Sequence, residues 1–244
     1  PRSNPQKDGL MRERPNVLMI VVDQMRRDAL GLNRPGFAHT PHLDQLAREG
    51  INFTRAYSAC PTCIAARATL MTGLKHENHG FTGYDARPEW RYPVTLPGVF
   101  AEEIDRQRRE TVGPHGIGEI AMYDDRENPR FPRQAGRVDD MAGVRREIDG
   151  YDCGVRYADT HVGMLLERLE QLGVLDDLVI IVSSDHGENL GELGLWSEHG
   201  TADYCTTRIP LIIRWPGMKR GHVDTGLHYN IDLLPTLAEL LGRE

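Results

Sequence analysis

The chain has 244 residues, 39% of them hydrophobic, and its 29 Lys and Arg against 36 Asp and Glu leave a net charge of −7. That suits one domain with a real core and argues against nucleic acid as a partner, which requires clustered Lys and Arg. No apolar run approaches the ~20 residues that span a bilayer, and four cysteines in a chain this long do not make a disulfide framework.

The first fourteen residues are polar and lack the apolar stretch of a signal peptide. Residues 1–14 therefore read as a flexible tail and residues 15–244 as a single domain. A cytoplasmic location is expected, or a periplasmic or secreted one if a leader has been removed. After Pro15 the run NVLMIVV ends on Asp23; a continuous aliphatic segment of this length reads as a strand buried on both faces. In HTPHLDQLAREG, Thr40 can cap a helix, Pro41 suits its first position, Leu43, Leu46 and Ala47 share a face, and Gly50 can end it. INFTRAY follows as a strand, and Thr62 can cap a helix over 63–72 with Gly73 beyond its end.

Across residues 145–172 apolar side chains recur at helical spacing, Tyr151, Val155, Val162, Leu166 and Leu169 among them, and Gly173 is the stop signal. Cys153 falls within this pattern as a core residue. LVIIVSS is a second buried strand, ending in Asp185-His186, IPLIIRW is a third, and YNIDLLPTLAELLG is a closing helix with Pro235 in its first turn. Strands alternating with helices predict an α/β fold with a mostly parallel sheet covered on both faces. Residues 105–140 are rich in Gly, Pro and charge without periodicity, which marks a functional loop or a contracted, irregular region.

Two strands thus end directly in acidic groups. In open α/β sheets ligands gather beyond the carboxyl ends of strands, so Asp23 and Asp185-His186 can converge although far apart in the chain. With the Gln24 amide oxygen they form an oxygen-rich set suited to Ca²⁺, Mg²⁺ or Mn²⁺ rather than zinc. The plainer alternative is that each Asp caps a helix or a turn. Cys60 and Cys63 form Cys-x-x-Cys, a pattern of redox pairs and zinc half-sites, but Cys153 and Cys205 stand apart and supply no second pair. Cys63 at a helix start with Arg67 one turn on is a different kind of site. The helix N-terminus attracts an anion, and a guanidinium on the same face can grip its oxygens. The pair reads as a nucleophile set against an oxyanion.

CIAARATLMTG resembles the sulfatase signature, Cys-x-Pro/Ala-x-Arg followed by a helix ending in Thr-Gly. NVLMIVVDQMRRDALG, HTPHLDQLAREGINFTRAYS, SSDHGENLGELGLWSEHGTADYCTTRIPLIIRWPG and YNIDLLPTLAELLG resemble sulfatase blocks in the same order, over residues 15–85 and 145–244. The resemblance implies an alkaline phosphatase-like α/β/α sandwich and hydrolysis of a small-molecule or carbohydrate sulfate ester. It implies that a maturation enzyme converts Cys63 to formylglycine, and that Asp23, Gln24, Asp185 and His186 hold one divalent cation, Ca²⁺ foremost. Arg67 and His199 then touch the sulfate. One hydroxyl of the formylglycine hydrate attacks sulfur, a histidine protonates the departing alcohol, and the second hydroxyl lets sulfate leave. Cys60 has no part in this scheme.

Departures from the family pattern keep two other readings open. Asp23-Gln24 also occurs among phosphonate monoester hydrolases, so a phosphonate monoester or phosphodiester is an alternative substrate class. The Gly-Lys-x-His block is not visible; VGPHGIG is nearest and offers His115 as a catalytic candidate without the Lys. That gap motivates a third reading, a degenerate module that binds an anion without turnover. Ala65 stands where Pro is commoner, and no small C-terminal subdomain is expected after Gly242. Of the remaining residues, His76 and His79 are expected in an exposed loop, His161 and Trp196 in packing, and His228 as a weaker site candidate.

Overall fold

The structure, a computed structural model, describes residues 15–36, 38–82, 140–218 and 220–242. The expected tail, His115 and the 105–140 segment up to residue 139 lie outside the described residues. The strands are β1 Asn16–Val21, β2 Ile51–Phe53, β3 Ala56–Tyr57, β4 Leu178–Ser183, β5 Asn189–Leu190, β6 Trp196–Glu198, β7 Arg208–Ile209, β8 Leu211–Arg214, β9 His222–Asp224 and β10 His228–Tyr229. The helices are α1 Pro41–Glu49, α2 Cys63–Thr72, α3 His76–His79, α4 Met141–Gln171, α5 Tyr204–Thr207 and α6 Leu233–Leu240. No helix among the described residues is long and apolar enough to cross a membrane.

The main sheet has the order β1-β4-β8-β2-β9. β1 pairs parallel with β4 and β2 with β9, whereas β8 runs antiparallel to both β4 and β2. The sheet is therefore mixed, where the sequence predicts a mostly parallel one. Between β4 and β8 the chain makes the β5-β6 hairpin, a single 3-10 turn, the four-residue α5 and the two-residue β7, without the long crossover that a parallel return requires. Two expected strands are each cut in two. Pro210 separates β7 from β8, and the turn at 54–55 separates β2 from β3, sending β3 and β7 into a second sheet with β10. A proline has no N–H for the ladder, so it marks the point where the chain changes sheets.

Alternation along β4 explains the layers. Ile180 and Val182 pack with Met25, Leu43, Leu46, Val155 and Val162 against α1 and α4. Val179 and Ile181 pack with Leu70, Ile209, Leu233 and Leu237 against α2 and α6. This is an α/β/α sandwich, as the resemblance implies. The four aliphatic side chains from Val179 to Val182 are wholly buried, each worth about 1.5–3 kcal/mol relative to exposure. β1, expected to be buried on both faces, is the edge strand among the described residues and keeps Val21 exposed. A run of aliphatic residues does not distinguish an edge from a centre.

α4 starts earlier than its periodicity predicts, at Met141, because the Asp140 side chain accepts the Gly143 amide at 2.6 Å and caps it. Cys153 is exposed rather than core; it lies two residues past the inward-facing Tyr151, roughly 200° around the helix. α4 also serves α1. Thr40 occupies the cap position of α1 but makes no side-chain cap. The wholly buried Asp159 of α4 does so instead, accepting from Leu43 N at 2.8 Å and His42 N at 3.4 Å. At Gly163 a side chain would run into the His42 ring, so glycine sets the closeness of the two helices.

Candidate active site

Parallel register brings the two acidic strand ends together. Val21 lies opposite Ser183, and Val22 N–H continues the ladder to Ser183 O at 2.9 Å. Both chains then turn with their polar groups intertwined. Gln24 N–H donates to Asp185 Oδ1 at 3.3 Å and Met25 N–H to Ser184 Oγ at 3.1 Å, while Ser184 Oγ donates to His186 O at 2.6 Å. Arg26, buried, clamps the exit of the turn through Asp28 at 2.8 Å, Glu192 at 2.6 Å and the Glu188 carbonyl at 3.3 Å. A side chain at Gly187 would strike the carbonyl oxygen of Cys205, so only glycine lets this strand tip pass.

α2 delivers Cys63 to the same place. The loop before it is braced from the C-terminal segment, where buried Asn230 accepts from Ala59 N at 3.1 Å and donates to Ser58 Oγ at 3.4 Å. Thr62 sits at the cap position, but its hydroxyl meets Cys60 Sγ at 3.3 Å and makes no cap bond. Gly73 closes the helix in the left-handed conformation, φ 64°, which glycine adopts at no steric cost. Cys63 Sγ lies 2.9 Å from His186 Nε2 and 3.5 Å from His199 Nε2.

One ligand atom from each of Asp23, Cys63, Asp185 and His186 falls within 4.8 Å of the others. The wholly buried His186 hydrogen-bonds the Gly187 carbonyl through Nδ1 at 2.8 Å. A carbonyl only accepts, so Nδ1 carries a proton and the neutral ring has its lone pair on Nε2, which faces Asp23 and Asp185 at 3.7 Å each. This is the tautomer a metal-ligating histidine adopts. Loss of hydration and repulsion by Asp185 raise the Asp23 carboxyl above its ordinary value, although its side chain remains 54% exposed. Arg67 bridges the two carboxylates, 3.1 Å from Asp23 and 2.9 Å from Asp185, where the sequence predicts it against an oxyanion. Two crowded carboxylates with a lone pair beside them are a set that demands positive charge, and it fits a divalent cation.

His199 stacks on His186, centroids 4.0 Å apart and planes at 16°. Its Nδ1 stands 3.4 Å from the buried carboxylate of Glu188. Hydrogen bonding to Cys63 and then to Glu188 pushes the His199 imidazole up to about 10, against the effect of burial. Burial likewise opposes protonation of His186, but its bond to Cys63 and the nearby Asp185 outweigh it and raise it. Sequence reasoning missed Glu188 and Tyr151; for Glu188 the available signal is an acid directly after Asp185-His186-Gly187 in a stretch that buries every side chain.

Gln24 stands at the same lip with its backbone at φ 60°. Histidines elsewhere go to structural partners. His79, expected in an exposed loop, is buried in α3; its Nδ1 accepts from Phe81 N at 3.1 Å and its Nε2 meets Thr69 Oγ1 at 2.9 Å. The polar pairing and the helix above it make that burial possible. His161 rests on Tyr157 on the exposed face of α4, and His228 pairs with Asp224 at 3.0 Å. Trp196 covers Gly191. A cleft of about 500 Å³ between α1 and α4, lined by His42, Glu49, Glu170 and Arg214 among others, contains none of the clustered residues.

The sulfatase family model matches residues 15–105 and 110–243. An arylsulfatase of Clostridium perfringens is 46% identical over 89 residues, covering 36% of this chain and 18% of that protein. A choline-sulfatase of Rhizobium meliloti is 40% identical over 355 residues, covering 94% of this chain and 68% of that protein. Among solved structures, a 2-O GAG sulfatase superposes with a TM-score of 0.72 at 18% identity, covering 95% of this chain and 71% of that one. The phosphonate monoester hydrolase of Agrobacterium radiobacter gives 0.65 at 22% identity, covering 94% and 74%. The chain thus has the fold of these solved structures, while its match to the arylsulfatase covers only 18% of that protein's length.

Proposed function

From the premise that this chain belongs to the sulfatase family, we propose that it hydrolyses a sulfate ester to an alcohol and inorganic sulfate, with residue 63 as nucleophile after a maturation enzyme converts Cys63 to formylglycine. The observation that carries this reading is the gathering of Asp23, Cys63, Asp185 and His186 within 4.8 Å, flanked by Arg67 and His199.

Asp23, Asp185 and His186 Nε2 would hold the cation, with Gln24 at the lip as the fourth candidate. As a thiol, Cys63 adds a soft donor to this set; conversion replaces sulfur by oxygen and makes the set hard, which favours Ca²⁺, with Mg²⁺ or Mn²⁺ next. When present, the cation and the formylglycine hydrate would supply a nucleophilic hydroxyl at neutral pH and positive charge for the ester oxygens. Arg67 balances the carboxylates on the face where the anionic ester must approach, and its guanidinium matches sulfate geometry. His199, whose charged form the Glu188 carboxylate favours, points Nε2 at residue 63, from where its proton would be donated to an oxygen of the ester. His115 remains a candidate acid for the leaving alcohol.

The test is intact-protein mass at residue 63 after co-expression with a maturation enzyme, together with sulfate release from an aryl sulfate, choline sulfate and a sulfated sugar. Conversion with release, abolished in Cys63→Ala, is the expected result. A persistent thiol with no release overturns the reading and leaves an anion-binding module. Asp23-Gln24 favours a second substrate class, phosphonate monoesters or phosphodiesters, and parallel kcat/KM values on sulfate and phosphonate esters decide between them.

A further inference from the structure

Gln24 follows the candidate ligand Asp23 directly and is the one residue other than glycine with a positive φ, 60°, among the described residues. Such a conformation is uncommon for a residue with a side chain and persists only where its surroundings impose it. Two of those constraints come from the neighbouring strand tip, through Asp185 and Ser184. The third comes from α4, which contributes nothing else to the cluster. The Tyr151 hydroxyl donates to the Gln24 carbonyl at 2.9 Å and accepts from the Arg26 amide at 2.8 Å. One oxygen thus closes the turn across Met25, satisfying a backbone donor and a backbone acceptor at once. The phenol ring packs in the core beneath it, against the same cluster as Met25 and Val155.

We propose that Tyr151 is a positioning residue for the cation site: its hydroxyl holds the left-handed turn at Gln24 and thereby aims the Asp23 carboxylate at Asp185 and His186. Removing it frees the turn to relax toward ordinary backbone, which moves the one ligand that is only half buried and leaves the buried pair in place. The inference rests on the reading of Asp23 as a ligand.

The experiment titrates the chelator-treated full chain with Ca²⁺, Mg²⁺ and Mn²⁺ by calorimetry, in parallel with the melting temperature of the cation-free form. Tyr151→Phe keeps the ring and loses both hydrogen bonds; we expect its Kd for the preferred ion to rise by about 10–100-fold, the range seen for supporting residues around metal ligands. Asp159→Asn, which loosens the distant α1 cap, should lower the melting temperature and leave Kd unchanged. Asp23→Asn should abolish binding. If Asp23→Asn abolishes binding while Tyr151→Phe stays within twofold of the unmutated chain, the positioning role is wrong and the site reading survives. If Asp23→Asn binds normally, or the unmutated chain binds no cation, both fall. Hydrogen exchange of the unmutated chain requires no variant: added cation should raise protection of the 23–27 amides, and unchanged exchange there with binding elsewhere intact also overturns the proposal.

Discussion

His186 and His199 lie ring on ring, 4.0 Å between centroids and 16° between planes, with both Nε2 atoms directed at Cys63 Sγ. Two protonated rings in that arrangement repel, so the pair is stable when the histidines divide their roles. The neutral form of His186 has its proton on Nδ1 and its lone pair at Nε2, whereas His199 has a carboxylate behind it that favours its cation.

Glu188→Gln tests that division. Glu188 favours the charged imidazole, so its neutralisation lowers the pKa of His199. The alkaline limb of the kcat/KM profile should move to lower pH, with about a tenfold loss per unit of displacement at pH values above the new limb. The same pairing adds stability that is complete below the unfolded histidine value of about 6.5 and is lost as pH rises through the higher folded value. An unchanged alkaline limb in the variant would remove Glu188 from the mechanism.

Substitution at the two neighbouring cysteines should have opposite outcomes. Cys63→Ala should reduce kcat by about 10⁴-fold or more, as removal of a nucleophile does. Cys60→Ser keeps a hydroxyl near Thr62 and should leave kcat within about twofold, since Cys60 Sγ meets the Thr62 hydroxyl at the cap position rather than the cluster. Steady-state kinetics on an aryl sulfate reads both. Loss of activity in Cys60→Ser would point instead to a dithiol.

Acid stability should depend on Asp28. Burial alone would raise its carboxyl, but hydrogen bonds and charge from Arg26 hold it below the ordinary value. Its contribution is therefore complete above the unfolded value of about 3.8 and disappears as pH falls through the lower folded value. Asp28→Asn should cost about 1–3 kcal/mol at pH 7, because the buried Arg26 loses a charged acceptor, and nearly nothing at the acid extreme. Urea titrations at pH 7 and near pH 3 measure the difference; equal losses at both would refute the assignment.

Asp159→Ala should cost about 1–3 kcal/mol in urea unfolding. It strips the cap from α1 and leaves the His42 and Leu43 amides without that acceptor. Thr40→Ala should not reproduce the loss through capping, since the Thr40 hydroxyl bonds Asp44 and Gly31 rather than the amides of the first turn.

Several parts of the site are legible in the order of the residues. Asp23 and Asp185-His186 stand out as a pair, because two aliphatic strands that both end on an acid can meet at one end of a sheet, and Cys63-Arg67 because one helical turn aligns them. Glu188 and Tyr151 carry no such mark. Glu188 matters only through His199, eleven residues on, and Tyr151 reads as one more apolar position of α4 until its hydroxyl is seen between Gln24 and Arg26. Cys153 and His79 invert their expected burial because helical phase decides the first, and polar partners at both ring nitrogens, Phe81 N and Thr69 Oγ1, the second.

What is local in this protein is written in its amino-acid order: apolar runs of strand length, helix starts and stops, and the residue types at strand ends. Periodicity and capping act within a few residues and leave their record there. Strand direction, the edge place of β1, the cap that α4 lends α1, and the division of charge between His186 and His199 come from the folded arrangement alone. Each of these depends on which distant segments pack together, and hydrogen-bond register and burial exist only once they have done so.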